Sequence, residues 1–520
     1  MQSRRIALFL VAAAVIAVAG TAAALGARSG QTARSADTPK RGGHITIARI
    51  EDSISFDKTN VFQNESIWIL EQINEPLYIV GADGKTLKPW LATSYKASNG
   101  GKRYTFKLRK GVKFSNGKPM TAADVKFSID DARVQKKGWG YLDTAIKSIA
   151  APNPSTVVFN LKFKWAPFLA DIALFANGVI PKNFNGESRK KFYTHPIGTG
   201  PFRWDKRVVG QSVSLKRNPV YWQKGKPYLD GVTWTFVSSE NTRELQLRGG
   251  QIQVDEFPPF NSIDKLKKTP RVTMSLFPST RTDYLDMNEL YPPLKDRHVR
   301  RAISYAIDRA AIVKSILFGY GSPANSQLPP QVPFYDKNAG GLQLDLNKAK
   351  AEMAKSKFPK GFKVQILVGA GAQVEQSIGQ ILQQQLKKLG IQATFKQEDT
   401  STEFNDINAF KYQLAFSYWT MDIADPDELV TFALDPKGGA FSFYTHYNNP
   451  KVTKLSHQAQ REVVVSKRAT LYSQAQRIAA QDANLGYLYY SPYRWAYSSK
   501  LHGFFVQPLG NYHLEDAWLG

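Results

Sequence analysis

The sequence of 520 residues is too long for one compact core and predicts two or three domains. Hydrophobic residues make up 42% and charged residues 22% of the chain, which excludes a disordered protein and a multi-spanning membrane protein. The chain has no cysteine, which excludes a disulfide scaffold, a zinc–thiolate site, a cysteine nucleophile and a lipid-modified N-terminal cysteine. The formal net charge of +26 bears on anionic partners and not on the fold.

The first 27 residues have the layout of an export signal. Arg4 and Arg5 precede an apolar run from Ile6 to Ala19, and small residues follow up to Ala27. This order is typical of a secretory signal peptide, so we expect the rest of the chain to work outside the cytoplasm. The apolar stretch is also just long enough to remain as an uncleaved membrane anchor. Residues 28–41 are small, polar and basic without periodicity, which predicts a linker.

From residue 42 onward, strand patterns and helix patterns alternate, which predicts a mixed α/β protein. Apolar and polar residues alternate with a period of two over residues 104–108, 157–163 and 232–236, as in half-buried strands. Thr121 and Asp124 have the spacing of a capping box, which predicts a helix that begins there and continues through Val125 and Ile129.

The second half of the chain carries the two strongest helix patterns. One predicts a helix over residues 296–318, ended by Gly319, and the other a helix over residues 374–389, ended by Gly390. Strand patterns at residues 362–368 and 391–396 flank the second helix. Together these three segments predict a β-α-β unit.

Motifs of catalysis and cofactor binding are missing from the sequence. It has no phosphate-binding loop, no H-E-x-x-H and no G-x-S-x-G, and Gly369-Ala-Gly371 lacks the third glycine of a dinucleotide site. No two of the seven histidines stand at the i, i+4 spacing of a helical metal site. We therefore expect no enzyme, no catalytic residue, no cofactor and no metal site.

Two clusters of charge remain to be interpreted. The carboxylates Asp422, Asp425, Asp427 and Glu428 could form an acid–base pair, a cation site, or the cap and first turn of a helix. Residues 96–147 hold 13 lysines and arginines against four aspartates. The region contains no recognisable nucleic-acid-binding motif and therefore does not predict nucleic-acid binding. It is more typical of a solvated face, or of a face held near anionic lipid or cell-wall polymer.

Seven segments, taken in order, resemble the extracytoplasmic solute-binding proteins of peptide-type ABC transporters, the family 5 class that includes dipeptide, oligopeptide and nickel binders. They lie at residues 87–95 (LKPWLATSY), 104–127 (YTFKLRKGVKFSNGKPMTAADVKF), 196–202 (PIGTGPF), 215–222 (LKRNPVYW), 287–288 (MN), 299–308 (VRRAISYAID) and 419–427 (WTMDIADPD). The resemblance extends from residue 42 to residue 520.

The resemblance implies an α/β protein with the type II periplasmic-binding fold (cluster C), in which two lobes are built from three domains and joined by a hinge. Domain I would comprise residues 42–76, 196–282 and 498–520, domain II residues 77–195, and domain III residues 283–497. The hinge would lie where the chain crosses between lobes, near residues 284–288 and 495–499.

The resemblance also implies a set of solute-binding residues. An aspartate three residues after a tryptophan binds the α-amino group of the ligand in peptide binders of this family, and Asp422 stands there after Trp419. A buried ammonium requires such a compensating charge. Trp419 and Tyr418 would form an aromatic wall, although both cannot point inward from a regular strand. The predicted substrate-binding residues are Asp422, Trp419, Tyr418, Thr420, Phe62, Gln63 and Asn64. The last three could instead simply begin a helix, and residues 425–427 are expected to form a turn and a helix start.

One departure from the family bears on the ligand. Dipeptide binders place an arginine just before the helix that corresponds to residues 378–389, where it binds the ligand's carboxylate. Residues 372–377 contain no arginine or lysine. A dedicated dipeptide clamp is therefore not expected, and a longer peptide, an opine, a sugar oligomer or another amine-bearing solute fits better.

The resemblance thus predicts the substrate-binding component of an ABC importer, which captures a solute, with a peptide as first candidate, and delivers it to a membrane permease and ATPase complex. We expect a monomer in the periplasm or at the outer face of the cell membrane, not a lipoprotein. The alternatives are a binder of an oligosaccharide, an opine or a nickel chelate, and a sensor that presents its solute to a receptor. A nickel binder would place a histidine in the cleft, for which His446 and His457 are candidates.

Overall fold

The computed structural model describes residues 38–520 except residues 136, 137, 439 and 440. The predicted signal peptide, residues 1–27, and the predicted linker up to residue 37 lie outside the described residues. Of the helices that are described, none has both the length and the apolar character needed to cross a membrane.

The described residues form a mixed α/β fold. The α-helices are α1 Asn64–Leu70, α2 Ala122–Arg133, α3 Phe168–Ile172, α4 Arg189–Phe192, α5 Glu240–Arg248, α6 Ile263–Leu266, α7 Pro292–Lys295, α8 Arg297–Ala306, α9 Arg309–Ser315, α10 Leu346–Lys355, α11 Gln373–Lys387, α12 Thr400–Asn408, α13 Asp427–Leu434, α14 Pro450–Arg461 and α15 Val465–Asp482. The strands are β1 His44–Arg49, β2 Tyr78–Val80, β3 Leu87–Pro89, β4 Ala92–Ser98, β5 Arg103–Leu108, β6 Ile146–Asn153, β7 Thr156–Leu161, β8 Phe202–Val208, β9 Ser212–Arg217, β10 Gly231–Phe236, β11 Val254–Glu256, β12 Val272–Phe277, β13 Thr282–Met287, β14 Ser322–Pro323, β15 Lys363–Gly369, β16 Gln392–Glu398, β17 Leu414–Trp419, β18 Gly486–Tyr490, β19 Tyr493–Ser498, β20 Leu501–His502 and β21 Trp518–Leu519.

The seven-stranded sheet has the order β12-β19-β11-β1-β10-β9-β8. Its central strand β1 pairs in parallel with β10 and β11, and the remaining pairs are antiparallel. Ile45, Ile47 and Trp234 are fully buried beside the sheet. This sheet joins strands that are far apart in the sequence, from residue 44 to residue 498.

The four-stranded antiparallel sheet has the order β4-β5-β7-β6. Strands β5, β7 and β10 confirm the three predicted strands, although β7 ends two residues earlier than its pattern and is buried on both faces. Helix α2 packs on this sheet through Val125 and Ile129. Its predicted capping box is confirmed, because the Asp124 carboxylate accepts hydrogen bonds from the backbone N of Thr121 at 2.8 Å and from its hydroxyl at 2.7 Å.

The six-stranded sheet has the order β14-β18-β13-β17-β15-β16. Parallel strands β15 and β16 flank helix α11, which confirms the predicted β-α-β unit. Gly390 has φ +76°, a left-handed conformation that ends the helical segment as predicted. Strand β17 pairs with both β13 and β15 and so lies at the centre of the sheet.

The prediction of a single helix over residues 296–318 is wrong. The chain forms two helices, α8 and α9, with a break at Ile307 and Asp308. The Asp308 side chain accepts a hydrogen bond from the backbone N of Ala311 and caps α9. The buried Arg309 guanidinium donates to four backbone carbonyls, those of Ser304, Ile307, Leu342 and Tyr487. The apolar periodicity of the sequence continues across the break. The pattern therefore could not show where one helix ends and the next begins.

The chain passes between the seven-stranded and six-stranded sheets twice. The crossings are residues 278–281, between β12 and β13, and residues 491–492, between β18 and β19. They lie a few residues before the predicted positions of 284–288 and 495–499, because β19 pairs within the seven-stranded sheet. The bounds of the three domains stay a prediction.

Candidate solute-binding cavity

A cavity of about 460 Å³ lies between the two larger sheets. The seven-stranded sheet contributes residues that follow β1 and β11 and Arg494 of β19, and the six-stranded sheet contributes residues of β13, β17 and β18 and the segment after β15. Arg281 and Ser491, from the two chain crossings, also line it. Ligands of α/β proteins commonly bind beyond the carboxyl ends of strands, and β1, β15 and β17 all end at this cavity.

All seven predicted substrate-binding residues line this one cavity. They come from two segments 354 or more positions apart in sequence: Phe62, Gln63 and Asn64 from the start of α1, and Tyr418, Trp419, Thr420 and Asp422 from the end of β17. That these residues contact a solute stays a prediction.

The start of α1 is fixed by hydrogen bonds around Gln63. Its side-chain oxygen accepts from the backbone N of Ile54 at 2.9 Å, and its side-chain nitrogen donates to the backbone O of Asp52 at 3.0 Å. The Asn64 side chain donates to the Thr420 hydroxyl at 3.3 Å. Phe62 packs on Trp139, with ring centroids 4.8 Å apart. Residues 62–64 therefore both begin a helix and line the cavity, so the two interpretations of them are compatible.

Asp422 combines burial with a carboxyl group that has no salt-bridge partner among the described residues. It is only 7% exposed, yet it lines the cavity, and its carboxyl group is hydrogen-bonded to the side chain of Glu428. Burial raises its pKa well above the usual value, and the neighbouring Glu428 carboxyl raises it further. A positive charge in the cavity would offset this cost of ionisation.

Glu428, which lies on α13, holds the segment around Asp422 in place. One of its oxygens accepts hydrogen bonds from the backbone N of Asp422 at 2.7 Å and of Ile423 at 2.9 Å. The other accepts from the Trp419 indole N at 2.8 Å. Sequence reasoning placed Glu428 among possible helix-start residues and missed this positioning role, because the contacts depend on a turn between β17 and α13.

The other two carboxylates of this acidic segment have structural partners. Asp425 forms a two-point salt bridge with Arg468 at 2.6 and 2.7 Å, and its side chain also accepts from the backbone N of Asp427. Asp427 accepts hydrogen bonds from the hydroxyls of Thr431 and Tyr472, both at 2.9 Å. The expected turn and helix start at residues 425–427 is confirmed by α13, which begins at Asp427.

Tyr418 and Trp419 have different neighbours, as the alternation of a strand requires, and both contribute to the cavity wall. The Arg281 guanidinium lies 3.6 Å from the centroid of the Tyr418 ring and forms a close salt bridge with Asp283, at 2.6 Å. The Trp419 ring packs on Phe432, with centroids 4.2 Å apart. Tyr418 is therefore held by a charged pair and Trp419 by an aromatic cluster.

Five glutamates that the sequence analysis did not single out also line the cavity, and four of them are close enough to affect one another's pKa. We call Glu51, Glu65, Glu375 and Glu403 the glutamate cluster. Charge repulsion from Glu65, Glu375 and Glu403 adds to burial in raising the pKa of Glu51, and burial raises the pKa of Glu375 to about 8 and that of Glu403 to about 7. The sequence could have suggested these residues only because Glu51 and Glu375 follow the ends of β1 and β15. It does not show that the ends of these two strands meet.

Arg494 is the cavity's second guanidinium. It is 9% exposed, donates through Nε to the backbone O of Pro258 at 3.0 Å, and lies 3.6 Å from the centroid of the Phe260 ring. No described carboxylate lies within 4 Å of it. Burial and the nearby Arg281 lower its pKa to about 10. Arg494 was not predicted as a site residue. It supplies the cavity with a cation that residues 372–377, which contain no arginine or lysine, do not supply.

Neither histidine proposed for a nickel complex lies in the cavity wall. His446 packs between the rings of Phe410 and Phe441, and His457 forms a hydrogen bond with Asp435 at 2.5 Å. Among the described residues, no group of three or more His, Cys, Asp or Glu side chains is arranged to hold a metal ion. The cavity therefore does not favour the nickel-chelate alternative.

Comparison with known proteins agrees with this architecture. The family model described as bacterial extracellular solute-binding proteins, family 5 Middle, matches residues 86–441. The chain is 30% identical over 446 residues to the glutathione-binding protein GsiB of Escherichia coli O6:K15:H31, an alignment that covers 83% of this chain and 86% of that relative.

Two solved structures have the same fold. The ABC transporter-associated periplasmic binding protein DppA from Helicobacter pylori, in complex with peptide STSA, is 26% identical with a TM-score of 0.86 and covers 92% of this chain and 98% of its own. The oligopeptide-binding protein AppA from Bacillus subtilis, in complex with a nonapeptide, is 26% identical with a TM-score of 0.85 and covers 93% and 100%. The chain therefore has the type II periplasmic-binding fold and belongs to the bacterial extracellular solute-binding proteins of family 5.

Proposed function

We propose that this protein is the substrate-binding component of an ABC importer and that it captures a short peptide in the cavity between its two larger sheets. The observation that carries the proposal is Asp422, a buried carboxyl group that lines the cavity and has no positively charged partner among the described residues. The similarity to a glutathione-binding protein and to two peptide complexes supports the same class of ligand. Glutathione is itself a short peptide with a free ammonium group.

In this proposal Asp422 binds the α-ammonium group of the peptide through a charge-assisted hydrogen bond. Tyr418 and Trp419 form an aromatic wall along the peptide, with Thr420 on the same side, and residues 62–64 close the opposite side. Asn64 and Thr420 already meet at 3.3 Å, so a hydrogen bond links the two sides of the cavity. These contacts orient the peptide chain without recognising a particular side chain.

Arg494 is our candidate partner for the carboxylate of the peptide. In a dipeptide binder, an arginine before α11 would bind this carboxylate. Arg494 could do so here, because its two terminal nitrogens donate no hydrogen bond to a described residue. A guanidinium can bind a carboxylate in a two-point arrangement, and the low pKa of Arg494 indicates that an anion would stabilise its charge.

We further propose that the two sheets belong to separate lobes that close over the peptide. The crossings at residues 278–281 and 491–492 would then form the hinge, and Arg281 and Ser491 would couple it to the ligand. The seven-stranded sheet corresponds to domain I, the four-stranded sheet to domain II and the six-stranded sheet to domain III. The protein would act as a monomer that delivers its peptide to a membrane permease and ATPase complex.

The place of action follows from the same function. A solute-binding protein of an importer meets its ligand outside the cytoplasm, which agrees with the export signal expected in residues 1–27. We propose the periplasm or the outer face of the membrane, with the uncleaved signal as the alternative means of attachment, and we assign no catalytic activity to the cavity.

Isothermal titration calorimetry with a free peptide and its N-acetylated form tests the role of Asp422. Wild-type protein should bind the free peptide at least about tenfold more tightly, because acetylation removes the charge that compensates a buried carboxylate. Asp422→Asn should abolish this preference, whereas Asp425→Asn, which changes a carboxylate outside the cavity wall, should keep it. Equal affinities of both peptides for the wild-type protein would contradict the proposal.

A further inference from the structure

The charge of the cavity is opposite to the charge of the chain. Seven carboxylates line it: Glu51, Glu65, Glu240, Asp283, Glu375, Glu403 and Asp422. Only two cations, Arg281 and Arg494, lie in the same wall. The chain as a whole has a formal net charge of +26, so this excess of carboxyl groups is a property of the cavity and not of the composition.

The guanidinium groups nearest the glutamate cluster are already matched with other carboxylates. Arg281 pairs with Asp283 at 2.6 Å. Arg49 pairs with Glu256 at 2.7 Å, and both side chains of that pair are 1% exposed. No described lysine, arginine or histidine forms a salt bridge with a member of the glutamate cluster. The cluster therefore has no direct ion pair, and Arg49 and Arg281 act on Glu51, Glu65 and Glu375 only from a longer distance.

Two members of the glutamate cluster are more than nine-tenths buried and still have no positively charged partner. Glu65 is 4% exposed and Glu403 is 8% exposed, and each has only a backbone N–H as a hydrogen-bond donor, that of Glu65 itself and that of Gly369. An Oε atom of Glu375 is likewise buried without a partner. Buried carboxylates in proteins are normally paired or hydrogen-bonded. Their position in the cavity wall indicates that the missing partner enters from the cavity.

The backbone is shaped to keep one of these carboxylates in place. A Cβ atom on Gly369, at the end of β15, would lie 2.5 Å from Oε2 of Glu403. Any larger residue at position 369 would displace that carboxylate. Glycine at the end of β15 thus gives Glu403, on α12, access to the same region as Glu375 on α11.

We infer that the glutamate cluster is a second cation subsite, and that the peptide bound here carries a lysine or arginine side chain in addition to its α-ammonium group. The inference rests on the proposed function and specifies its substrate class, a basic peptide. The cluster does not offer a metal site, since the described residues hold no suitable group of three ligands. A cavity of about 460 Å³ has room for an extended basic side chain beside a short backbone.

The test compares three tripeptides, Ala-Lys-Ala, Ala-Ala-Ala and Ala-Glu-Ala, by calorimetry at low ionic strength. Wild-type protein should bind Ala-Lys-Ala at least about tenfold more tightly than Ala-Ala-Ala, and Ala-Glu-Ala most weakly. The double variant Glu51→Gln/Glu403→Gln should lose the preference for lysine and keep the affinity for Ala-Ala-Ala. The matched control Glu187→Gln removes a carboxylate outside the cavity wall, paired with Lys191 and His195, and should keep the preference.

The outcomes separate this inference from the proposed function. Equal affinities of the three peptides for the wild-type protein would overturn the second subsite and leave peptide binding intact. A lysine preference that survives in the double variant would also overturn it. No binding of any of the three would overturn both proposals. The melting temperature of the double variant shows whether it is folded. Because the substitutions remove like charges, we expect the double variant to be at least as stable as the wild type.

Discussion

At the scale of single residues, the cavity is defined by charges that lack partners in the protein. Glu428 illustrates the contrast, since its two oxygens accept three hydrogen bonds, from the indole of Trp419 and the backbone of Asp422 and Ile423. Such a carboxylate is structurally satisfied and positions its neighbours. Asp422 is hydrogen-bonded to Glu428 but, unlike Glu428, lines the cavity, so the structure distinguishes a positioning carboxylate from one that faces a ligand.

Arg494 gives a residue-scale prediction about the other end of the peptide. Arg494→Gln should weaken binding of a peptide with a free C-terminus by about tenfold or more, because a buried carboxylate would lose its cation. The same peptide with an amidated C-terminus should bind both proteins alike. Calorimetry with the two peptides measures this.

The control variant for this prediction is Arg203→Gln, at an exposed position of β8. It should bind both peptides as the wild type does. If Arg494→Gln weakens the amidated peptide as much as the free one, Arg494 supports the cavity wall and does not bind the carboxylate.

At the scale of elements, the site depends on strand ends that meet, and a sequence shows this only in part. Alternation and the capping box predicted β5, β10 and α2, because local patterns determine them. The β-α-β unit was predictable for the same reason. The break between α8 and α9 was not predicted, because apolar periodicity continues across it and two of the carbonyls that hold Arg309 there, those of Leu342 and Tyr487, are distant in sequence.

The break itself gives an element-scale prediction. Asp308→Ala should lower the free energy of unfolding by about 1 kcal/mol, because the first turn of α9 loses the acceptor for the backbone N of Ala311. Asp308→Ser retains a capping oxygen and should recover most of the loss. Chemical denaturation of the three proteins measures this, and an Asp308→Ala variant as stable as the wild type would show that the cap contributes little.

At the scale of the whole molecule, many buried carboxyls hold their protons more tightly in the folded state than in the unfolded one. Burial raises the pKa of Glu71, Asp286 and Glu375 to about 8 and that of Glu403 to about 7. The folded state therefore binds more protons than the unfolded state between about pH 5 and pH 8. The stability contributed by these groups is fully present below the unfolded pKa and is lost as the pH rises through the folded values.

We therefore expect the ligand-free protein to melt at a lower temperature at pH 8 than at pH 6.5. Each group contributes up to about 1.4 kcal/mol per pH unit in this range. A bound basic peptide should reduce the difference, because a cation stabilises the ionised form of Glu375 and Glu403. Differential scanning calorimetry measures both effects, and a melting temperature that rises from pH 6.5 to pH 8 without ligand would contradict the assignment.

The resemblance to family 5 predicted the fold, and all seven site residues that it implied line one cavity. The glutamate cluster and Arg494 could not be predicted in this way. Their segments are separated by hundreds of residues and meet only because β1, β15, β17 and β19 converge between the two sheets. The net charge of the chain did not predict the character of the cavity either. The chain is strongly basic, whereas carboxyl groups outnumber guanidinium groups in the cavity wall.

A crystal structure of the protein grown with Ala-Lys-Ala tests the central claim most directly. The account predicts the peptide in the cavity between the two larger sheets, with its α-ammonium group within hydrogen-bond distance of Asp422 and its lysine amine among the members of the glutamate cluster. A peptide bound elsewhere on the protein, or bound in the cavity with its ammonium group turned away from Asp422, would contradict it.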